Sequence, residues 1–138
     1  MVKDIKLIGF RYSKMNIERN EEFKGELKIT PNINIQSIEK FNSDSKQDIL
    51  QVSFSFGIDY SSLGKLELKG KMFLSVDPKT IKDTLEGWKT KKLDDQINLV
   101  ILNTIMQKAS LKALELEEEM NLPPHIQLPK LQLGEKKA

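Results

Sequence analysis

Cysteine is missing from all 138 residues, and histidine and tryptophan occur once each. Without cysteine there is no disulfide framework, no thiolate metal site and no cysteine nucleophile, a composition compatible with a reducing, cytoplasmic setting. The lone histidine, His125, has no partner histidines for a metal cage and no nearby signature of a Ser-His pair, which leaves it a structural role. Charge of one sign is also scarce in excess: 22 basic and 20 acidic side chains leave a net charge of +2. That balance gives no strong field for nucleic acid or an anionic membrane. No apolar run approaches the roughly 20 residues of a membrane span. Lys3, Asp4 and Lys6 interrupt what would have to be the apolar stretch of a signal peptide, so no export signal is expected. A phosphate-binding glycine loop, a paired-histidine helix and a calcium-loop spacing are all missing. The expectation is a protein that is not an enzyme and holds no cofactor or metal.

What is present is a pattern of two periods. A chain of this length buries roughly two-thirds of its unfolded surface, enough for one real core. Up to about Val76 the period is two, the mark of strands with one face in the core. In residues 49–60, Leu50, Val52, Phe54, Phe56, Ile58 and Tyr60 share one face and Gln51, Ser53, Ser55, Gly57 and Asp59 the other. Turn chemistry at Ser61-Ser62-Leu63-Gly64 follows, and Leu66, Leu68, Gly70, Met72, Leu74 and Val76 resume the alternation, which predicts a hairpin. Upstream, Phe23, Gly25, Leu27, Ile29, Ile33 and Ile35 alternate with polar residues, predicting a long strand bent near Pro31. Residues 5–17 switch parity between Leu7 and Ile8, as expected of a strand buried on both faces or carrying a bulge. Residues 42–47 read as a polar loop.

After Val76 the period becomes helical. Asp77-Pro78 is an N-cap followed by a first-turn proline, and Ile81, Leu85 and Trp88 make an apolar stripe on a short helix. A longer helix starts near Asp94-Asp95, whose carboxylates suit the positive end of the dipole, and runs to about Met120. Its first half, from Ile97 to Met106, is apolar almost all round and needs cover on more than one side. The cheapest second layer in so short a chain is another copy of itself, so a homo-dimer or homo-tetramer is expected. Glu115, Glu117, Glu118 and Glu119 read as a solvated helix face. Leu122-Pro123-Pro124-His125-Ile126-Gln127-Leu128-Pro129 forms an extended apolar arm, and residues 134–138 a disordered tail. Residues 1–133 are therefore expected to form a single domain. Its class is α+β: a four-stranded antiparallel sheet followed by a short and a long C-terminal helix.

Lys24, Lys28, Lys65, Lys69 and Lys71 suggest a basic sheet face, but Glu26 and Glu67 interrupt it and aromatic stacking partners are few, which argues against nucleic acid. Phe41, Trp88, Met106, Met120 and Ile126 are candidates for an adaptable apolar surface, with core packing as the competing assignment for each.

The order of four strands, short helix, long helix and proline-punctuated arm resembles the SecB family of protein-export chaperones, whose last helix is followed by an apolar-Pro segment and a second Pro. Here those are Leu122-Pro123-Pro124 and Leu128-Pro129. The resemblance implies an ATP-independent holdase, a dimer or dimer of dimers binding non-native chains in apolar grooves. By it, the peptide-binding positions correspond to Phe41, near the family's crossover loop, Trp88, Leu122 and Ile126, with Met106 added from the apolar helix. SecB proteins are acidic and dock on the SecA motor through an acidic sheet surface; the pI near 8.7 and Lys65, Lys69 and Lys71 set this chain against such docking. SecB-like relatives also guard antitoxins, so a module for one specific partner, or for a small apolar ligand, is the rival reading.

Overall fold

In the computed structural model, which describes residues 5–41 and 48–126, four strands and two helices follow one another in the expected order. Strands β1 (Lys6–Arg19), β2 (Thr30–Phe41), β3 (Ile49–Asp59) and β4 (Gly64–Ser75) form one antiparallel sheet in the order β1-β4-β3-β2. Helices α1 (Pro78–Lys89) and α2 (Asp95–Glu119) complete the chain order. Polar loop 42–47, tail 134–138 and the Leu128-Pro129 end of the arm lie outside the described residues.

Alternation decides which side of the sheet is covered. On β3 and β4, Leu50, Val52, Phe54, Phe56, Leu66, Leu68, Met72 and Leu74 are buried in one core with Ile97, Ile101, Ile105, Ala109 and Ala113 of α2. The intervening Gln51, Ser53, Ser55, Lys69 and Lys71 point the other way. A short 3-10 turn, Ser61–Leu63, closes the β3–β4 hairpin. The parity switch of β1 has a concrete cause: register shifts between Leu7 and Gly9 and between Tyr12 and Lys14. Two bulges put Leu7, then Phe10 and Tyr12, then Met15 and Ile17 on the side of Leu74, Met72, Leu68 and Leu66, where Phe10, Tyr12 and Ile17 pack against the core.

The strand expected from Phe23 through Gln36 is corrected. Strand β2 starts at Thr30, with Pro31 on an edge where a missing N–H does no harm. Residues 20–29 instead carry the chain from one edge of the sheet to the other, because β1 and β2 occupy opposite edges. Their backbone partners come from the hairpin turn. The Ser62 hydroxyl donates to the Lys24 carbonyl at 2.7 Å and accepts from the Lys24 N–H at 3.1 Å, while Ser61 does the same for Lys28 at 2.9 Å each way. Gly25, at φ +92, makes the turn between the two clamps. Two serines thus replace a strand ladder, a role that alternation cannot announce.

Both helix starts follow their caps. Asp77 accepts from the Thr80 N–H at 3.0 Å and Asp94 from the Gln96 N–H at 3.1 Å. At the far end of α2, Asn121 adopts φ 55 and the Leu122 N–H donates to the Glu117 carbonyl at 2.8 Å, which closes the helix and turns the arm back.

Candidate functional site

Helix α2 lies over the sheet with an apolar side chain facing nearly every direction, so its flanks as well as its buried stripe are apolar. Along one flank, Leu102, Asn103 and Met106 face Pro31, Asn32 and Ile33 of edge strand β2 across a groove of about 390 Å³. Along the other, Lys108, Leu111, Lys112 and Glu115 face Phe10 and Tyr12 of edge strand β1 across a groove of about 280 Å³. Each groove therefore pairs a helix flank with a sheet edge. Leu99 is 60% exposed, Leu111 70% and Met106 41%, a large apolar display for one helix.

The β1 groove has a firm wall. Phe10 and Tyr12 meet edge to face at 5.3 Å, Phe10 packs on Phe54 at 5.0 Å, and the Tyr12 hydroxyl donates to the Lys108 carbonyl at 3.2 Å. Burial pushes the Tyr12 phenol above its ordinary value. Lys112 pairs with Glu115 at 2.6 Å along the rim, giving this groove an apolar floor and a charged lip.

A wider concavity of about 880 Å³ lies elsewhere, between the ends of the strands around Asn16, Glu18, Asn32, Asp59, Lys65 and Glu67. Its lining is mainly polar, which does not suit an apolar client.

Of the five positions expected to bind peptide, only Met106 lines a groove beside α2. Leu122 is 5% exposed and belongs to the core, because the turn at Asn121 folds the arm inward. Trp88 packs against the same core, with Lys91 Nζ 3.8 Å above its ring. Ile126 is exposed at the end of the described arm. Phe41 pairs with Ile49 on the opposite side of the sheet and meets Phe73 at 5.1 Å. It is not near the crossover, which runs through residues 20–29 and presents Phe23 and Leu27 to solvent. Sequence reasoning missed Leu99, Leu102 and Leu111 as individuals; the all-round apolarity from Ile97 to Met106 contained the first two, while Leu111 lies beyond it.

One cluster of titratable groups is sealed from solvent. The Glu117 carboxylate accepts from the Tyr60 hydroxyl, from the His125 N–H at 3.3 Å and from His125 Nδ1, 3.1 Å from both oxygens. The side chains of Glu117 and His125 are each 1% exposed, and the imidazole meets Phe56 edge-on at 5.9 Å. Burial first, then the hydrogen bond and charge of Glu117, pushes the Tyr60 phenol far above its ordinary value. The reading of Glu117 as part of a solvated helix face is therefore corrected: it points into the core and ties the arm to the hairpin. No substrate atom could approach it. Among the described residues, no three His, Cys, Asp or Glu side chains gather as a metal site, and no helix is long and apolar enough to cross a membrane.

No family model and no curated protein matches the chain. Among solved structures it is similar to the SecB-like chaperone Rv1957 of Mycobacterium tuberculosis, determined in complex with a ChAD peptide from the Rv1956 HigA1 antitoxin. The match covers 93% of this chain and 91% of that one, with a TM-score of 0.56 and 8% sequence identity. The sheet and its two C-terminal helices thus have the SecB-like fold.

Proposed function

We propose that this protein is an ATP-independent holdase that binds unfolded or extended polypeptide in the apolar grooves on either side of α2. The observation that carries the reading is the pair of grooves itself: each sets exposed apolar side chains of one helix beside a sheet edge that has no strand partner among the described residues. A free edge offers unpaired backbone N–H and C=O groups to an extended chain, while alternate client side chains fill the apolar floor. Met106 supplies a polarizable, flexible surface that tolerates different clients. Several such weak sites on one homo-dimer or homo-tetramer would give avidity, and binding the unfolded state alone holds clients from aggregation by mass action. Phe23 and Leu27 of the crossover are two further exposed apolar side chains.

The rival is a module for one specific partner, and the SecB-like neighbour solved with an antitoxin peptide favours keeping it in view. Diluting a chemically denatured client into buffer and following light scattering, without nucleotide and with the protein's mass recorded, separates the two. Suppression by an oligomer at near-stoichiometric amounts, lost severalfold in M106S/L111S, is the expected result. Indifference to denatured clients would sink the holdase, and with it a role in protein export, and leave the module for one partner, such as an antitoxin, or for a small apolar ligand.

A further inference from the structure

We infer that the outer face of the sheet, turned away from the core, is a docking surface for an acidic polypeptide segment of another protein. The register places Arg11 directly opposite Lys71 and Lys14 directly opposite Lys69 on β1 and β4. Residues paired in this way share a face at close range, where like charges repel. Among the described residues, Lys14 has a carboxylate partner, Glu67 at 3.2 Å, while Arg11, Lys69 and Lys71 have none within ion-pair distance. Glu67 is outnumbered by its neighbours: the hydrogen bond from Lys14 first, and Lys69 and Lys65 at longer range, hold its carboxyl below the ordinary range. Glu18, opposite Lys65, and Glu39, opposite Gln51, share this face but lie outside the Arg11–Lys71 and Lys14–Lys69 pairs. Setting cation opposite cation on the solvent side costs the sheet repulsion that the Lys14–Glu67 pair only partly offsets. An anionic partner would turn the repulsion into attraction.

The surroundings say what kind of anion fits. Next to the cations run Ser53 and Ser55 of β3, opposite Lys71 and Lys69, with Ser37 and Asn34 of β2 beyond them. These short hydroxyls and amides offer donors and acceptors to an extended backbone. At one end stands half-buried Phe73, with the Arg11 guanidinium 5.3 Å from its ring centre and Phe41 against it. Gly9 leaves the room this ring needs, since a Cβ there would sit 3.2 Å from it. The Arg11 guanidinium already sits over the Phe73 ring where a base would have to stack, and Glu67 beside the cations would repel a continuous phosphate backbone. A peptide that intersperses carboxylates with small polar and apolar residues meets both conditions. The grooves beside α2 play no part, so this inference stands or falls separately from the chaperone reading.

Fluorescence anisotropy of a labelled peptide of Asp, Glu, Ser and Leu, titrated with the full-length protein, tests it. Wild-type protein should bind with an affinity that falls as salt rises, and R11S/K69S/K71S should bind at least about tenfold more weakly. The same variant should have a thermal midpoint no lower than that of wild type and should keep its suppression of client aggregation. Lys71→Glu sets a carboxylate opposite Arg11, and should raise the midpoint while weakening peptide binding, a combination that a purely structural role cannot produce. Equal peptide affinity in wild type and triple variant would overturn the inference. So would tighter binding of a single-stranded oligothymidine, which would mark a nucleic-acid face, or loss of self-association in the triple variant, which would make the occupant a second copy.

Discussion

The two faces of the sheet use the same strands under opposite rules. On β3, Val52, Phe54 and Phe56 are fully buried against the helices, while Ser53 and Ser55 alternate with them toward solvent. The inner face is selected by volume and apolarity, and each large side chain there removes its surface from water at roughly 25 cal/mol per Å². Apart from the Phe41, Phe73 and Ile49 cluster at one end, the outer face is not packed against a second layer among the described residues, so charge that the fold does not require can accumulate on it. Stability is therefore concentrated on one face, and the unexplained chemistry on the other.

The sharpest way to break that contrast is to cut one side chain from each face at adjacent positions. Phe54→Ala should cost about 3–5 kcal/mol in urea unfolding, since it empties the centre of the Phe10–Tyr12–Phe54 ring cluster. Ser55→Ala should stay within about 0.5 kcal/mol. Equal losses at both positions would mean that the outer face is buried in the native assembly.

A smaller effect tests the sealed cluster at the end of α2. Glu117→Ala should lower stability by about 3 kcal/mol, because it leaves the His125 ring and the Tyr60 hydroxyl buried without their acceptor. Glu118→Ala, one residue on and exposed, should change little. Limited proteolysis should also cut Glu117→Ala sooner within residues 122–126, where the arm loses its tie.

Much of this architecture was legible because period alone fixes which strand residues face the core: the β3–β4 hairpin and both helix caps follow from local spacing, and the parity switch of β1 narrowed it to a bulge or burial on both faces. What failed to show were contacts set by long-range geometry. The stretch Phe23–Ile29 alternates like a strand, yet the chain must there traverse the whole sheet, and Ser61 and Ser62 supply its hydrogen bonds from 33 and 38 residues away. Glu117 sits among three exposed-type glutamates, and only the return of the arm, bringing His125 beside it, makes its burial tolerable. The candidate site was legible as a property of α2 rather than as a set of positions. Apolarity all round one helix announces exposed apolar flanks, but which residues line a groove depends on where the sheet edges fall, which is why Met106 lies in one and Phe41 lies on the other face.

The smallest expected effect concerns pH and divides the buried cluster from the exposed surface. Tyr60 ionises far less readily folded than unfolded, where its ordinary value is 10.0. For an acid whose folded pKa is raised, the stabilisation is complete below the unfolded value and is lost as pH climbs above it, because the unfolded chain can then release a proton that the folded one must keep. Stability should therefore fall above about pH 10, with Tyr60 contributing at most about 1.4 kcal/mol per pH unit. Tyr60→Phe removes that contribution, so its unfolding free energy should decline less steeply in the alkaline range than that of wild type, even though it starts lower for want of the hydrogen bond to Glu117. Parallel slopes for the two proteins would show that the phenol is solvated in the native state, and that the arm does not seal the end of α2.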